Sequence, residues 1–494
     1  MGSRPDIVII GSGMGGATLA AGLAPSGARI VILERGEQIP DDAPARDPAR
    51  IYTNSAFRDA ETWTDADGER FSPGNYYNVG GNSKFYGAVL FRYRAEDFEA
   101  MEHEGGVSPA WPIRYDEIAP WYEKAEALYQ VRGEAGGDPT EPPRVGGYPH
   151  PAVPEEPAIA VVRARLERVG LKPFSLPLGV DLERWLKAGK TGWDGYPDLR
   201  CGKMDAETCG LAEALSYENV ELVTGARVRW LKADSERGRI SEVVYEKNGE
   251  TVSLSPKVVA LAAGAVQSAA LLLASGVANA NDQVGRCFMN HNATAVIAID
   301  PRYKNDAVYQ KTFGLNDWYL SDGKGGYPLG NVQLLGRVTP EILKIQVPSL
   351  PKFAARWISH HAIDLYLMTE DLPDPESRIR LNDGEIQLVW RRSNLKAHEK
   401  LLAATKSAMR AAEFPVVLSR LFDGRVPSHQ CGTLRMGDDP ASSVVDPESR
   451  SWQHENLFVV DAGALPTSAA VNPALTVAAL ALRAAPTVEK ALSA

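Results

Sequence analysis

Asp6-Ile-Val-Ile-Ile-Gly11-Ser-Gly13-Met-Gly-Gly16, an Ala/Leu-rich run after it, and then Arg29-Ile-Val-Ile-Leu33-Glu34 decide how the beginning of this chain folds. Residues 7–10 are all β-branched and suit a short buried strand. Gly11 and Gly13 let the turn tighten and the backbone approach a pyrophosphate, while Gly16 lets the following helix pack close on the sheet. That helix, over 17–23 and closed by Gly27, would aim its N-terminus at the phosphates. A second strand follows over 29–33. Glu34 arrives about 20 residues after the glycines, where a carboxylate takes ribose hydroxyls. Strand, turn, helix, strand and acid in this order predict a Rossmann-type unit, with Gly11, Ser12, Gly13, Gly16 and Glu34 as cofactor contacts.

The 494 residues provide for a sizeable core, and 44% hydrophobic with 23% charged residues is ordinary for a soluble enzyme. A net charge of −10 argues against nucleic acid or an anionic membrane surface as partner. No basic segment precedes a long apolar run at the N-terminus, so no signal peptide is read and the cytoplasm is the expected compartment. The longest apolar stretch, 258–280, approaches the roughly 20 residues of a membrane span, but Gly264, Gln267 and Ser268 interrupt it. It reads instead as a buried strand over 258–262, an Ala263-Gly264 turn, and a helix over 266–275 capped by Gly276. With another strand element over 219–228, the nucleotide domain is assembled from separated parts of the chain.

Cys201, Cys209, Cys287 and Cys431 are too few and scattered for a disulfide framework, and reduced thiols are expected. Seven residues separate Cys201 from Cys209, which is not a zinc spacing. His360 and His361, with Asp364 at helical spacing, lack a further ligand, so no metal is expected. The stretch 132–157 holds seven prolines and five glycines and is read as a long ordered loop that either closes a site or wraps the surface. Asn382-Asp383-Gly384, flanked by alternating apolar residues, signals a hairpin suited to an antiparallel substrate domain.

The last part of the chain carries His429-Gln-Cys-Gly-Thr-Leu-Arg435, Asn456-Leu-Phe-Val-Val-Asp461-Ala462-Gly463, Pro466-Thr467-Ser468 and Asn472-Pro473-Ala-Leu-Thr476. Together with the N-terminal motif, Val79-Gly80-Gly81-Asn82-Ser83, Ala262-Ala-Gly-Ala-Val-Gln-Ser268 and Val284-Gly285-Arg286, their order resembles the glucose-methanol-choline (GMC) oxidoreductase family along nearly the whole chain. The resemblance implies an α/β plus α+β architecture, a Rossmann-type FAD-binding domain with an antiparallel-sheet substrate-binding domain. It divides the chain into FAD-binding segments 1–90, 195–300 and 425–494 and substrate-domain segments 91–194 and 301–424.

It also implies His429 and Asn472 as the pair facing the flavin. Independently, a neutral imidazole is the natural acceptor of a hydroxyl proton, and Asn472 can bond the same oxygen while also serving as an N-cap before Pro473. Gly80, Gly81, Asn82, Ser83, Val228, Ala263, Asp461, Ala462, Pro473 and Thr476 are expected around the cofactor; the lesser alternative for Asp461 is that it merely terminates its sheet. The helix over 474–485 would point its positive end at the flavin.

Within the family, the 80–87 segment is most similar to pyranose oxidases and their bacterial relatives acting on glycosides. Phe85 stands where fungal pyranose oxidases attach flavin through histidine, so FAD is expected to be non-covalent. Gly87 replaces a threonine that contacts the flavin edge there. The implied reaction is oxidation of a secondary alcohol of a sugar or glycoside, C3 ahead of C2, with dioxygen reduced to peroxide; the alternative is a dehydrogenase using a quinone or other acceptor. A flavin-containing lyase and a steroid or aromatic-alcohol substrate are the rival readings. Trp111, Tyr115, Trp121 and Tyr122 either stack on substrate or belong to the core.

Overall fold

The computed structural model describes residues 4–40, 47–54, 56–200, 202–234, 238–422 and 428–493; Cys201 lies outside the described residues. The strand Ile7–Ile10 is the centre of a five-stranded parallel sheet with spatial order Val220–Val223, Ile30–Leu33, Ile7–Ile10, Val258–Leu261, Leu457–Val459. Ile7 lies opposite Ile30 on one side and Val258 on the other. The apolar runs have no polar alternation because both faces are covered. Ile7, Ile9, Ile30, Ile32, Val258 and Ala260 pack toward the helices Met14–Leu23 and Ala474–Ala491, while Val8, Ile10, Val31, Leu33, Val259 and Leu261 pack into the main core. Strand order reverses at the first strand, and at such a switch point a parallel sheet leaves room for a crevice at the carboxyl ends of its strands.

Two glycines make this crevice. Gly11 has φ +104°, and a Cβ there would stand 2.4 Å from the carbonyl oxygen of Ala262. A Cβ on Gly16 would stand 2.0 Å from the carbonyl oxygen of Gly11, so the helix can approach the strand only through glycine.

A second sheet is antiparallel and six-stranded, in the order Val416–Leu421, Asn292–Ile299, Ala362–Thr369, Asn331–Leu334, Phe313–Leu315, Phe174–Ser175. Val296, Phe313, Val332, Leu334, Ile363, Leu365 and Leu367 cover one face and pack on the helices Pro157–Arg168 and Leu395–Ala411. The alternate residues Gln333, Tyr366 and Met368 therefore occupy the other face. A three-stranded meander, Arg227–Asp234, Arg239–Lys247 and Glu250–Leu254, adjoins the parallel sheet.

Several sequence expectations are corrected. The Asp383-Gly384 hairpin forms, with both residues at positive φ, between Arg378–Asn382 and Glu385–Val389. Its strands join a separate four-stranded sheet with Trp63–Thr64 and Arg70–Phe71 rather than the six-stranded one. Ile379, Ile386 and Leu388 give it an apolar face that packs on Val266 and Ala270 of the helix Ala265–Ser275. The last helix runs through Pro486 to Ala491, well beyond 485, because its buried face continues to Val488. Asn472 does not cap it; Pro473 is the N-cap. His361 ends a helix and Asp364 lies in the next strand, so the helical spacing of His360, His361 and Asp364 is not realised. Trp111, Tyr115 and Tyr122 are core residues, and the indole N–H of Trp111 donates to Thr467 Oγ1 at 2.8 Å. The 132–157 stretch closes on itself through a short parallel pair, Arg132–Gly133 with His150–Pro151, and is tied by Arg144 to Glu126 and Glu141. Among the described residues no helix is long and apolar enough to cross a membrane, and none of the His, Cys, Asp and Glu groupings could hold a metal.

Gly11→Ala drives its Cβ into a backbone oxygen and should cost about 3 kcal/mol or more. Gly13→Ala meets no atom within 4 Å of the new Cβ and should leave stability unchanged. Thermal unfolding of the two cofactor-free variants checks this; equal midpoints would refute the close-approach argument.

Candidate active site

The crevice is built first from Glu34 and Ser12. Glu34 Oε2 accepts hydrogen bonds from the Ser12 N–H (3.0 Å) and hydroxyl (2.7 Å), and Oε1 accepts from the Gly36 N–H at 2.9 Å. Burial pushes the Glu34 carboxyl above its ordinary pKa, against the pull of these donors. Ser12 Oγ in turn accepts from the Gly80 N–H at 3.0 Å, which ties the 80–87 loop to the end of the central strand. A Cβ on Gly81 would lie 3.4 Å from Gly13 Cα, so the two glycine turns face one another. Gly13 itself borders open space. Backbone N–H groups, cleared glycine positions and a helix N-terminus at one place fit a dinucleotide.

The 80–87 loop is anchored from behind. The Ser83 hydroxyl donates to the Gly80 carbonyl and accepts from the Ala206 N–H, and Asn82 Oδ1 accepts from the Tyr76 N–H. Lys84 is fully buried, with Nζ 3.0 Å from Asp205 and 2.6 Å from Glu207. Lys203 Nζ donates to the carbonyls of Lys84, Tyr86 and Tyr196. Burial pulls Lys203 down to about 7 and pushes Asp205 up to about 6. Phe85 stacks on Tyr76 with ring centroids 3.8 Å apart.

Asp461 stands at the end of the last parallel strand. Its carboxylate accepts from the Gly264 N–H (2.9 Å), the Ser268 hydroxyl (2.5 Å) and the Gly463 N–H (2.8 Å). These bonds fix Ala263 and Ala462 against each other. Val228 lies in the meander, paired with Tyr245, two residues beyond Ala226, whose N–H donates to the Glu34 carbonyl. The buried Thr476 hydroxyl shares a 2.7 Å hydrogen bond with the Tyr122 hydroxyl.

His429 and Asn472 come together just ahead of the helix Ala474–Ala491. Met289 and Cys431 form an antiparallel bridge, which brings His291 beside His429. Their Nδ1 atoms are 2.8 Å apart, and the rings meet edge-on. The backbone N–H of His429 donates to Asn290 Oδ1 at 2.8 Å. On its other side, His429 Nε2 lies 3.5 Å from Asn472 Nδ2, and Asn472 Oδ1 accepts from Gln333 Nε2 at 3.0 Å. Gln333 Oε1 is buried without a hydrogen-bond partner among the described residues. Burial, then the neighbouring His291 ring and the Lys311 ammonium, which oppose a second positive charge beside them, hold His429 well below the usual imidazole pKa, and burial lowers His291 as well.

Lys311 belongs to the same neighbourhood. Its ammonium pairs with Asp194 at 2.8 Å, and Asp194 Oδ2 also accepts from the Gly336 N–H. A Cβ on Gly87 would come within 2.6 Å of Lys311 Nζ, so glycine at this position leaves room for the ion pair beside the loop. His291, Gln333 and Lys311 were not legible as site residues. Each is placed by cross-strand register or by a contact with a distant glycine, and none stands in a sequence motif of its own.

Models of the GMC oxidoreductase family match residues 6–293 and 373–481. The chain is 28% identical to the 6'''-hydroxyparomomycin C oxidase of Streptomyces lividus, over 97% of this chain and 90% of that protein. A segment of 58 residues, 12% of this chain and 11% of the relative, is 48% identical to the C-glycoside 3-oxidase of Arthrobacter globiformis. The crystal structure of a pyridoxine 4-oxidase described as from Mesorbium loti has the same fold, with a TM-score of 0.67 at 21% identity over 98% of this chain and 99% of that one. The chain belongs to the GMC oxidoreductase family, FAD-dependent enzymes that oxidise CH–OH groups.

Proposed function

We propose that the protein oxidises a secondary alcohol of a sugar or glycoside to the ketone, at C3 ahead of C2, with dioxygen as the electron acceptor. The observation that carries this reading is the meeting of His429, Asn472 and Gln333 beside a glycine-lined dinucleotide crevice. The oxidase name of the full-length relative supports the reaction class, and the 3-oxidase name, matched over 58 residues, supports the carbon. Bound FAD supplies the two-electron acceptor for the hydride leaving the carbinol carbon. Gly11, Ser12, Gly13, Gly16 and Glu34, with the 80–83 turn, Ala263, Ala462 and Pro473, would hold it. The Asp461 carboxylate has its acceptor capacity engaged by three donors, so Asp461 acts by setting the backbone around it.

His429 Nε2 accepts the hydroxyl proton. Burial keeps the imidazole neutral through the physiological range, which is the state a base requires. With its amide oxygen engaged by Gln333, Asn472 turns Nδ2 toward the same oxygen and stabilises the charge that develops as the proton leaves. Gln333 Oε1 remains as an acceptor for a neighbouring hydroxyl. The N-terminus of the helix Ala474–Ala491 favours negative charge nearby.

Phe85 offers no nucleophile, so denaturing the protein in acid should release all of the flavin into the supernatant; flavin retained in the pellet would contradict non-covalent binding. Anaerobic mixing of the yellow protein with glucose and a panel of O- and C-glycosides should bleach the flavin absorbance with at least one glycoside. Admission of air should restore colour with formation of peroxide. No bleaching by any sugar would sink the substrate assignment, and slow recovery would assign a different acceptor.

His429→Ala should retain FAD while lowering the rate of flavin reduction by about 10²–10⁴-fold. The proton-accepting form of His429 is neutral, and its pKa is depressed. Flavin reduction should therefore be flat from neutral pH down through the usual imidazole value and decline only in more acidic buffer. A decline centred at or above that value would contradict a buried neutral base.

A further inference from the structure

We infer that His291 sets the tautomer of His429, and so makes Nε2, rather than Nδ1, the proton-accepting atom. The assignment of His429 as base belongs to the function proposed above; the tautomer itself follows from hydrogen-bond geometry and the burial of His291.

His291 Nε2 lies 3.1 Å from the carbonyl oxygen of Ser468. A carbonyl only accepts, so this nitrogen carries a hydrogen. His291 is 1% exposed, and burial disfavours its cationic form. A neutral imidazole has one N–H, which leaves Nδ1 of His291 a bare acceptor. Facing it at 2.8 Å is His429 Nδ1. Two bare nitrogens at that separation would repel, so His429 Nδ1 must donate. His429 Nε2 is then bare, and it points toward the amide hydrogens of Asn472 at 3.5 Å.

The groups thus form one directed series. The Gln333 amide donates to Asn472, Asn472 to His429, His429 to His291, and His291 to the Ser468 carbonyl. Reversing any member would set two donors or two acceptors against each other. The charged groups around the histidines are engaged elsewhere. Lys311, on the His429 side, pairs with Asp194. Glu370, on the His291 side, accepts from Ser108 and lies 3.2 Å from His103. Neither offers a competing partner to the Nδ1 atoms.

During turnover the alcohol O–H bond breaks and its proton forms the Nε2–H bond of His429. The Nδ1 proton stays in place, still donated to His291. The hydride and its electron pair leave the carbon for the bound cofactor, so the ketone forms without a proton passing between the histidines. His291 is a positioning residue that never touches substrate.

The ¹⁵N-imidazole spectrum of the ¹⁵N-histidine-labelled holoenzyme, with His429 identified by the signals lost in H429N, tests this without any substrate. The expected pattern for His429 is a protonated Nδ1 and an unprotonated Nε2; the opposite pattern would overturn the inference. Three variants add a second readout. In H291N the amide oxygen can take the place of Nδ1 and accept from His429. In H291Q the longer amide can reach the Ser468 carbonyl but leaves nothing at the Nδ1 position, and H291L provides neither contact. H291N should keep kcat within about tenfold, while H291Q and H291L should lose about 100-fold in kcat with little change in KM. A packing role would instead make H291Q as mild as H291N, and that result would refute tautomer control. If an individual variant fails to fold, the wild-type spectrum still decides. If no sugar is oxidised, the substrate reading falls while the spectrum continues to test His291.

Discussion

Everything in this structure depends on the burial of the strand Ile7–Ile10 between two parallel neighbours. Its residues are 0–4% exposed, and each contributes about 1.5–3 kcal/mol by leaving water. The strands that cover it come from 30–33 and from 258–261, and the sheet is completed by 220–223 and 457–459. A core collected from such distant segments carries the chain between them along. The six-stranded sheet is largely built from those intervening lengths, so its position relative to the crevice follows from how the parallel sheet closes.

Close backbone approach is the second constraint. Gly11 and Gly16 remove the side chains that would hold the helix and the neighbouring strand away, and Ser12 then reaches both Glu34 and the Gly80 N–H. The 80–87 loop is fixed from its far side by buried Lys84 and Lys203. The charge of Lys84 is tolerable in the interior because Asp205 and Glu207 sit against it, and the Lys203 amine is held by three backbone carbonyls. Removal of either lysine would leave buried partners without compensation.

The cluster proposed as catalytic draws on both the parallel sheet's surroundings and the six-stranded sheet. The Met289–Cys431 bridge sets His291 against His429, Asn472 precedes the last helix, and Gln333 extends from the six-stranded sheet. Burial disfavours the imidazolium of both histidines, so a neutral, directed hydrogen-bond series is the arrangement that satisfies their nitrogens. The hairpin at Asp383-Gly384 shows the limit of local reasoning in the same region. Its turn is dictated by two residues that accept positive φ, but the sheet it joins depends on which apolar surface its strands meet.

The sequence by itself determined the nucleotide-binding turn, the strand and helix after it, the second strand-glycine-helix unit, and the pairing of His429 with Asn472 as residues of interest. These rest on local patterns: β-branched runs, glycine spacing, and motifs in a recognisable order. Only the tertiary structure decided that Trp111, Tyr115 and Tyr122 are core, that Asn472 bonds Gln333 and His429 instead of capping a helix, and that His291 and Lys311 belong to the site. Those facts depend on cross-strand register and on which distant surfaces meet. A one-residue change of register would turn His291 to the other face without altering any local propensity, and therefore no local pattern could have disclosed its role.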